Sequence, residues 1–221
     1  MKQATRIADA AAMIPDGASV MIGGFMAIGS PERLVTELAR CGRRGLTVIA
    51  NDTARPGIGI GKLIEKKCVK RLIVSHIGAN PETQQQMLSG AIDVELVPQG
   101  TLAERIRAGG FGLGGVITPT GVGTLAAEGK QTIEIDGQTF LVERPLRADF
   151  ALLHAWQSDY YGNLTYSLTA RNFNPLMAMA ANTVLAEADQ IVPIGAISPD
   201  EIQTSGVLVD YLLERRSGNG S

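Results

Sequence analysis

Short apolar runs at residues 18–22, 46–50, 71–75 and 93–97 alternate with stretches of helical periodicity, and this alternation constrains the fold more than any other feature of the chain. After the first run, Leu34, Val35 and Leu38 recur at helical spacing. Ser30 is placed to cap that helix, Pro31 suits its first turn, and Gly42 stops it. A further helix is expected around 62–67, another opens at Asn80-Pro81 and closes near Gly90, and Thr101-Leu-Ala-Glu104 reads as a capping box for a helix to about Ala108. Buried strands alternating with helices imply a parallel sheet covered on both faces. The second half differs: 133–135 and 140–142 flank Asp136-Gly137, the sequence of a tight hairpin. Further strands are expected at 150–155 and 183–186, with a helix from Asn174-Pro175 to about Ala181; 208–214 fits strand or helix equally. The expected fold class is therefore α/β, a mostly parallel twisted sheet with helices on both faces plus a small antiparallel hairpin. Residues 1–216 are expected to form one domain, and 217–221 a flexible polar tail.

Composition narrows the function classes. Lys and Arg total 20 against 22 Asp and Glu, a formal charge of -2, so the basic footprint of a general nucleic-acid binder is missing. Cys41 and Cys68 form no disulfide framework, and two histidines, His76 and His154, offer no metal-ligand spacing; no metal is expected. The amino terminus carries Asp9 inside its only apolar stretch and reads as an amphipathic helix rather than a secretory leader, and no apolar stretch reaches about 18 residues. The expectation is a cytoplasmic protein with no membrane and no nucleic-acid partner.

Glycine clusters invite a nucleotide-binding reading, which the spacing opposes. Gly110-Phe-Gly112-Leu-Gly114-Gly115 satisfies G-x-G-x-x-G but follows an expected helix rather than a strand. In Gly57-Ile-Gly59-Ile-Gly61-Lys62 the lysine precedes Leu63, so the metal-binding hydroxyl of a P-loop is absent. The segment 16–31 is more informative. A strand delivering Gly23-Gly24, an exposed Phe25, and Gly29-Ser30-Pro31 at a helix start would leave bare backbone N–H groups facing a cleft. The same pattern is compatible with a plain strand-turn-helix connection that packs Phe25 in the core.

The pattern D-G, two variable and three apolar residues, then G-G-F-x-x-x-G-x-P resembles the first half of family I (3-oxoacid type) CoA-transferases. Asn51-Asp52-Thr53-Ala54, His76-Ile77-Gly78-Ala79-Asn80, the run from Pro98-Gln99-Gly100-Thr101 to Arg105, and Arg171-Asn172-Phe173-Asn174-Pro175 are similar to segments of α subunits acting on acetate, butyrate and acetoacetate. The likeness extends in order over about 16–211. It implies an α subunit moving CoA between acetyl-CoA or acetoacetyl-CoA and a short-chain carboxylate. In that ping-pong chemistry a glutamate attacks the thioester to give a mixed anhydride, the released CoA thiolate forms a glutamyl-CoA thioester, and the acceptor carboxylate reverses both steps. The resemblance assigns Asn51 to oxyanion stabilisation, Gly23, Gly24, Phe25, Met26, Ala27, Ile28 and Gly29 to CoA contact, and Gln99 and Gly100 to the carboxylate substrate. CoA is substrate, and no metal or redox cofactor is implied. The family's nucleophilic glutamate lies in an S-E-N-G motif on the β subunit, and this sequence has no such motif. The resemblance therefore implies an α2β2 assembly with the β subunit, and an isolated chain without turnover.

Read from the residues alone, Asn51 reads first as an ordinary turn or helix-capping residue rather than a catalytic one. Glu32, Glu37, Glu65, Glu104 and Glu214 read as helix-surface residues, Glu134 as part of the hairpin, and Glu143 as a partner of Arg144 or Arg147. Lys66, Lys67, Lys70 and Arg71 could meet CoA phosphates but read first as a solvated face. His76 reads as structural, and Trp156, Tyr160 and Tyr161 as interface or core. Two alternatives stay open: a non-catalytic module of the same fold sensing a phosphosugar or acyl-CoA, and a phosphosugar isomerase.

Overall fold

The computed structural model describes residues 1–2 and 4–214. In chain order the elements are β1 (Ala4–Thr5), α1 (Ile7–Ala12), β2 (Ser19–Ile22), α2 (Glu32–Arg40), β3 (Leu46–Ile49), α3 (Gly61–Glu65), β4 (Val69–Val74), α4 (Pro81–Leu88), β5 (Asp93–Leu96) and α5 (Gln99–Gly110). There follow β6 (Val116–Thr118), β7 (Thr132–Ile135), β8 (Gln138–Glu143), β9 (Ala148–Asp159), β10 (Leu164–Thr165), α6 (Asn174–Ala180), β11 (Ala181–Val192) and β12 (Tyr211–Leu213). The main sheet runs β1-β12-β11-β9-β2-β3-β4-β5 with every neighbouring pair parallel, and β10 adds antiparallel to β9. The expected class therefore holds. The ambiguous carboxyl-terminal stretch resolves into β12, and the polar tail falls outside the described residues.

Strand periodicity sorts the apolar side chains into two cores. Val20 and Ile22, Val48 and Ala50, Leu72 and Val74, and Leu152 face one core with α1, α2 and α3; Met21, Ile49, Ile73, Ala151 and Leu153 face the other with α5 and α6. Both faces are covered, which is why these strands read as continuous apolar runs rather than alternating ones.

The hairpin is β7-β8, and its turn residues Asp136 and Gly137 both have positive φ (50° and 74°), as a two-residue type I′ connection requires. Sequence did not indicate β6, which completes a separate three-stranded antiparallel sheet by pairing with β8. Its three residues are too short a run to show a period.

Several local expectations are corrected. Ser30 does not cap α2: its hydroxyl donates to Gly23 O at 3.0 Å, and Pro31 occupies the cap position. The free N–H groups of Arg33 and Leu34 instead donate to the buried Glu187 carboxylate on β11, at 3.2 and 3.0 Å. A helix N-terminus attracts a carboxylate, and here the tertiary fold delivers one from far along the chain. α3 begins at Gly61, with Lys62 paired to Glu32 rather than placed for a phosphate. α5 starts two residues before the expected capping box, with Pro98 at its cap position; Thr101 Oγ1 is buried with no partner among the described residues, and Glu104 pairs with Arg107. Glu214 follows β12 rather than lying on a helix. Glu143 pairs with neither Arg144 nor Arg147. It is buried on β8, 2.6 Å from Lys130 Nζ and 3.8 Å from Arg105 Nε, because the pleat sends successive side chains to opposite faces.

Burial pushes the Glu187 carboxyl above its ordinary range, and the two helix N–H donors only partly offset this. A raised folded-state pKa means that Glu187 favours the fold below the unfolded value of 4.5, and that this contribution is lost as pH rises through the folded pKa. Glu187→Gln lacks that dependence. The melting temperature of the wild type is therefore expected to fall relative to the variant from pH 4.5 upward; parallel profiles would rule the effect out.

Candidate active site

The carboxyl ends of β2, β3 and β5 open on one cleft of about 440 Å³, lined by Phe25, Asn51, Gln99, Gly100, Ala103, Thr169, Asn172 and Phe173. β2 is where the strand order turns, its chain neighbour β3 lying on one side and β9 on the other. Open parallel sheets bind ligands outside the strand ends at such a point.

Asn51 follows β3 and is 2% exposed. Its Oδ1 lies 2.8 Å from Ser75 Oγ and accepts from Gln99 Nε2 at 3.0 Å; Ser75 Oγ is also 2.8 Å from Asn51 O. Holding Oδ1 in this way fixes which end of the amide is which and turns Nδ2, with no acceptor among the described residues, to the cleft. Sequence had no means of supplying Ser75, which comes from the end of β4. Gln99 and Gly100 stand in the first turn of α5 on the cleft wall.

The glycine loop 23–29 is not the row of bare amides that its sequence suggested. Gly23 N–H donates to Leu152 O, Gly24 N–H to Asn172 Oδ1, Met26 N–H to Asp52 Oδ2, and Phe25 and Ile28 exchange both backbone bonds. Only the Ala27 and Gly29 amides lack an acceptor among the described residues. Residues 25–28 thus form a two-residue turn with Met26 at φ 50° and Ala27 at φ 71°. Non-glycine residues there cost about 1–3 kcal/mol each and persist only where the surroundings over-determine them. The flanking glycines are required sterically: a Cβ on Gly23 would fall 1.9 Å from Asn174 Oδ1, and one on Gly29 would fall 2.3 Å from Ala170 O. Phe25 is 46% exposed at the cleft and not in the core.

The other motifs find their places around this loop. Asp52 is buried, its two oxygens accepting from Met26 and Ala54 N–H. Asn80 caps α4 and donates to Thr53 O at 3.0 Å, tying the segment after Asn51 to the next helix. Asn174 is fully buried; its Nδ2 donates to Gly29 O and its Oδ1 accepts from His154 N–H. The basic run Lys66, Lys67, Lys70 and Arg71 lies at the opposite end of β4 from Ser75, and Arg71 pairs with Glu95 and Asp93. Gly110 ends α5, and Gly112 to Gly115 follow its carboxyl end. Trp156, Tyr160 and Tyr161 are exposed rather than core.

The sequence profile of the family described as coenzyme A transferase matches residues 4–215. This chain belongs to the coenzyme A transferase family. It is 57% identical over 205 residues to the acetate CoA-transferase subunit alpha of Escherichia coli K12, covering 93% of both chains. It is 49% identical to the acetoacetyl-CoA:acetate/butyrate CoA transferase alpha subunit of Clostridium acetobutylicum, covering 90% of this chain and 91% of that one. An acyl-CoA transferase from E. coli O157:H7, solved as a thioester complex with CoA, shares the fold with a TM-score of 0.87 at 22% identity; the match covers 96% of this chain and 47% of that one. Within this CoA-transferase the cleft brings together Asn51, Phe25, Gln99 and Gly100, while Gly23 and Gly24 stand behind the wall as the stem of the turn. Asn172 was visible only as part of a motif and Asn174 otherwise only as a helix opener, because the loop atoms they hold, Gly24 N–H and Ile28 O for Asn172 and Gly29 O for Asn174, lie 144 to 148 residues away.

Proposed function

We propose that this CoA-transferase is an α subunit that moves CoA between acetyl-CoA or acetoacetyl-CoA and a short-chain carboxylate, with a β subunit supplying the nucleophilic glutamate in an α2β2 assembly. The observation that carries this reading is Asn51: an amide clamped at its oxygen by Ser75 and Gln99, with its N–H pair turned to the cleft. The lining side chains supply amides, one hydroxyl and apolar walls, and no carboxylate, thiol or imidazole. Such a surface orients a carbonyl and stabilises charge on its oxygen; the attacking group would come from the facing subunit. When the β-subunit glutamate adds to the thioester carbonyl, the C–S bond breaks, CoA leaves as thiolate and the oxygen passes through an oxyanion that Asn51 Nδ2 is placed to meet. CoA enters as substrate, its pantetheine running past residues 23–29, where the half-buried Ala27 offers an amide with no acceptor among the described residues. Gln99 and Gly100 border the carboxylate position. Phe25, Ala103 and Phe173 give the acyl group an apolar wall, which suits a short chain. Relatives named as α subunits and of nearly equal length support the division of the site between two chains.

The test is exchange of CoA between acetyl-CoA and acetoacetate, assayed for this chain alone and then with the product of the neighbouring gene. Turnover is expected in the mixture and not with the chain alone. Equal turnover by the isolated chain would overturn the split site, and a mixture that forms a complex yet transfers no CoA among acetate, butyrate and acetoacetate would overturn the substrate class.

A further inference from the structure

We infer that Asn172 is a positioning residue of the transferase, holding the two stems of the 25–28 turn in register over the cleft. The inference rests on the proposed function for its kinetic consequence, and on hydrogen bonding for its structural one. Asn172 Oδ1 accepts from Gly24 N–H at 3.0 Å, immediately before the turn, and Nδ2 donates to Ile28 O at 3.0 Å, the last residue of the turn. The same amide bonds its own segment, donating to Ala170 O at 3.0 Å and accepting from Phe173 N–H at 2.7 Å. One side chain therefore spans two strained segments: the turn, with Met26 and Ala27 at positive φ, and Asn172 itself, at φ 24° and ψ -121°. Asp52 adds the third tether, at Met26 N–H. Backbone in these regions persists only when its surroundings over-determine it, and what the tethers hold in place is the stretch carrying the half-buried Ala27, whose amide has no acceptor among the described residues. Asn172 also lines the cleft, so its displacement alters the wall facing Asn51.

The test uses the assembled enzyme and the full-length chain, with Asn172→Ala, Asn172→Asp and Asn172→Ala combined with Ala27→Gly. Asn172→Ala is expected to lower kcat for acetyl-CoA and acetoacetate exchange about 100-fold, the cost of a small misplacement of site groups, with KM for acetoacetate unchanged within about twofold. Amide hydrogen exchange over residues 23–29 is expected to speed up about fivefold or more, the loss of roughly one hydrogen bond. Glycine takes positive φ unaided, so adding Ala27→Gly should recover about tenfold of the lost kcat; a residue needed merely for folding would show no such recovery. Asn172→Asp keeps the acceptor for Gly24 but sets an oxygen against Ile28 O, and should behave like the alanine variant even where that one folds poorly. Unchanged exchange over 23–29, or kcat within twofold of wild type, overturns the inference. The exchange rates are read without turnover, so an inactive wild-type complex would overturn the proposed function while the role of Asn172 is still decided by them.

Discussion

Asn51→Ala is expected to lower kcat for CoA exchange by about 100- to 1,000-fold, the usual cost of removing one oxyanion donor. KM should change little, because the donor meets charge that exists only as the thioester carbonyl is attacked. Asn51→Asp separates the donor from the packing. It keeps the shape and the oxygen that accepts from Gln99 Nε2 and lies against Ser75 Oγ, but turns a second oxygen, instead of Nδ2, to the cleft. Both variants should lose activity comparably, while the melting temperature falls by only a few degrees, the cost of about 1–3 kcal/mol for disturbing a buried amide held by Ser75 and Gln99. If Asn51→Asp kept most of the activity, the residue would be acting through shape alone. Steady-state kinetics of the assembled enzyme over both substrates distinguish the two results.

The second large effect is on stability. Arg105→Ala is expected to destabilise the chain by about 2–3 kcal/mol, since it removes a buried guanidinium with its charge-assisted bond to Glu95 and its bond to the Arg144 carbonyl, while Glu95 keeps Arg71 and Glu143 keeps Lys130. The Arg105 side chain is 9% exposed; it bonds Glu95 Oε1 at 2.7 Å and Arg144 O at 2.9 Å and lies 3.8 Å from Glu143 Oε2. Through these contacts α5 is joined to β5 on one side and to the three-stranded sheet on the other. Burial raises the Glu95 carboxyl, but Arg105 and then Arg71 lower it more, so its folded pKa lies below 4.5. A depressed carboxylate pKa contributes stability above the unfolded value that is lost as pH falls through the folded one. The difference between wild type and Arg105→Ala in urea unfolding should therefore be larger at pH 7 than below pH 4. A difference independent of pH would mean that Arg105 acts by packing alone.

The same residues show how much was legible in the sequence. Runs such as 46–50 and 71–75 carry their own burial pattern, and Asp136-Gly137 its own dihedral preference, so the parallel sheet and the hairpin follow from local chemistry. The motifs around Gly23-Gly24-Phe25, Asn51 and Gln99-Gly100 were singled out by their resemblance to a family and not by local chemistry, since glycines and amides at strand ends serve equally in ordinary turns and caps. What sequence could not decide was who bonds to whom. Ser30 looked like the cap of α2, yet Glu187 holds that position from β11; Glu143 looked paired with its neighbours, yet it meets Lys130 and Arg105; the loop 23–29 looked bare, yet Asp52 and Asn172 occupy much of it. Apolar periodicity and turn preference act over a few residues and are written locally. Carboxylate and amide side chains satisfy whatever donor the assembled sheet brings within about 3 Å, so their partners are set only when β2, β9 and β11 lie side by side.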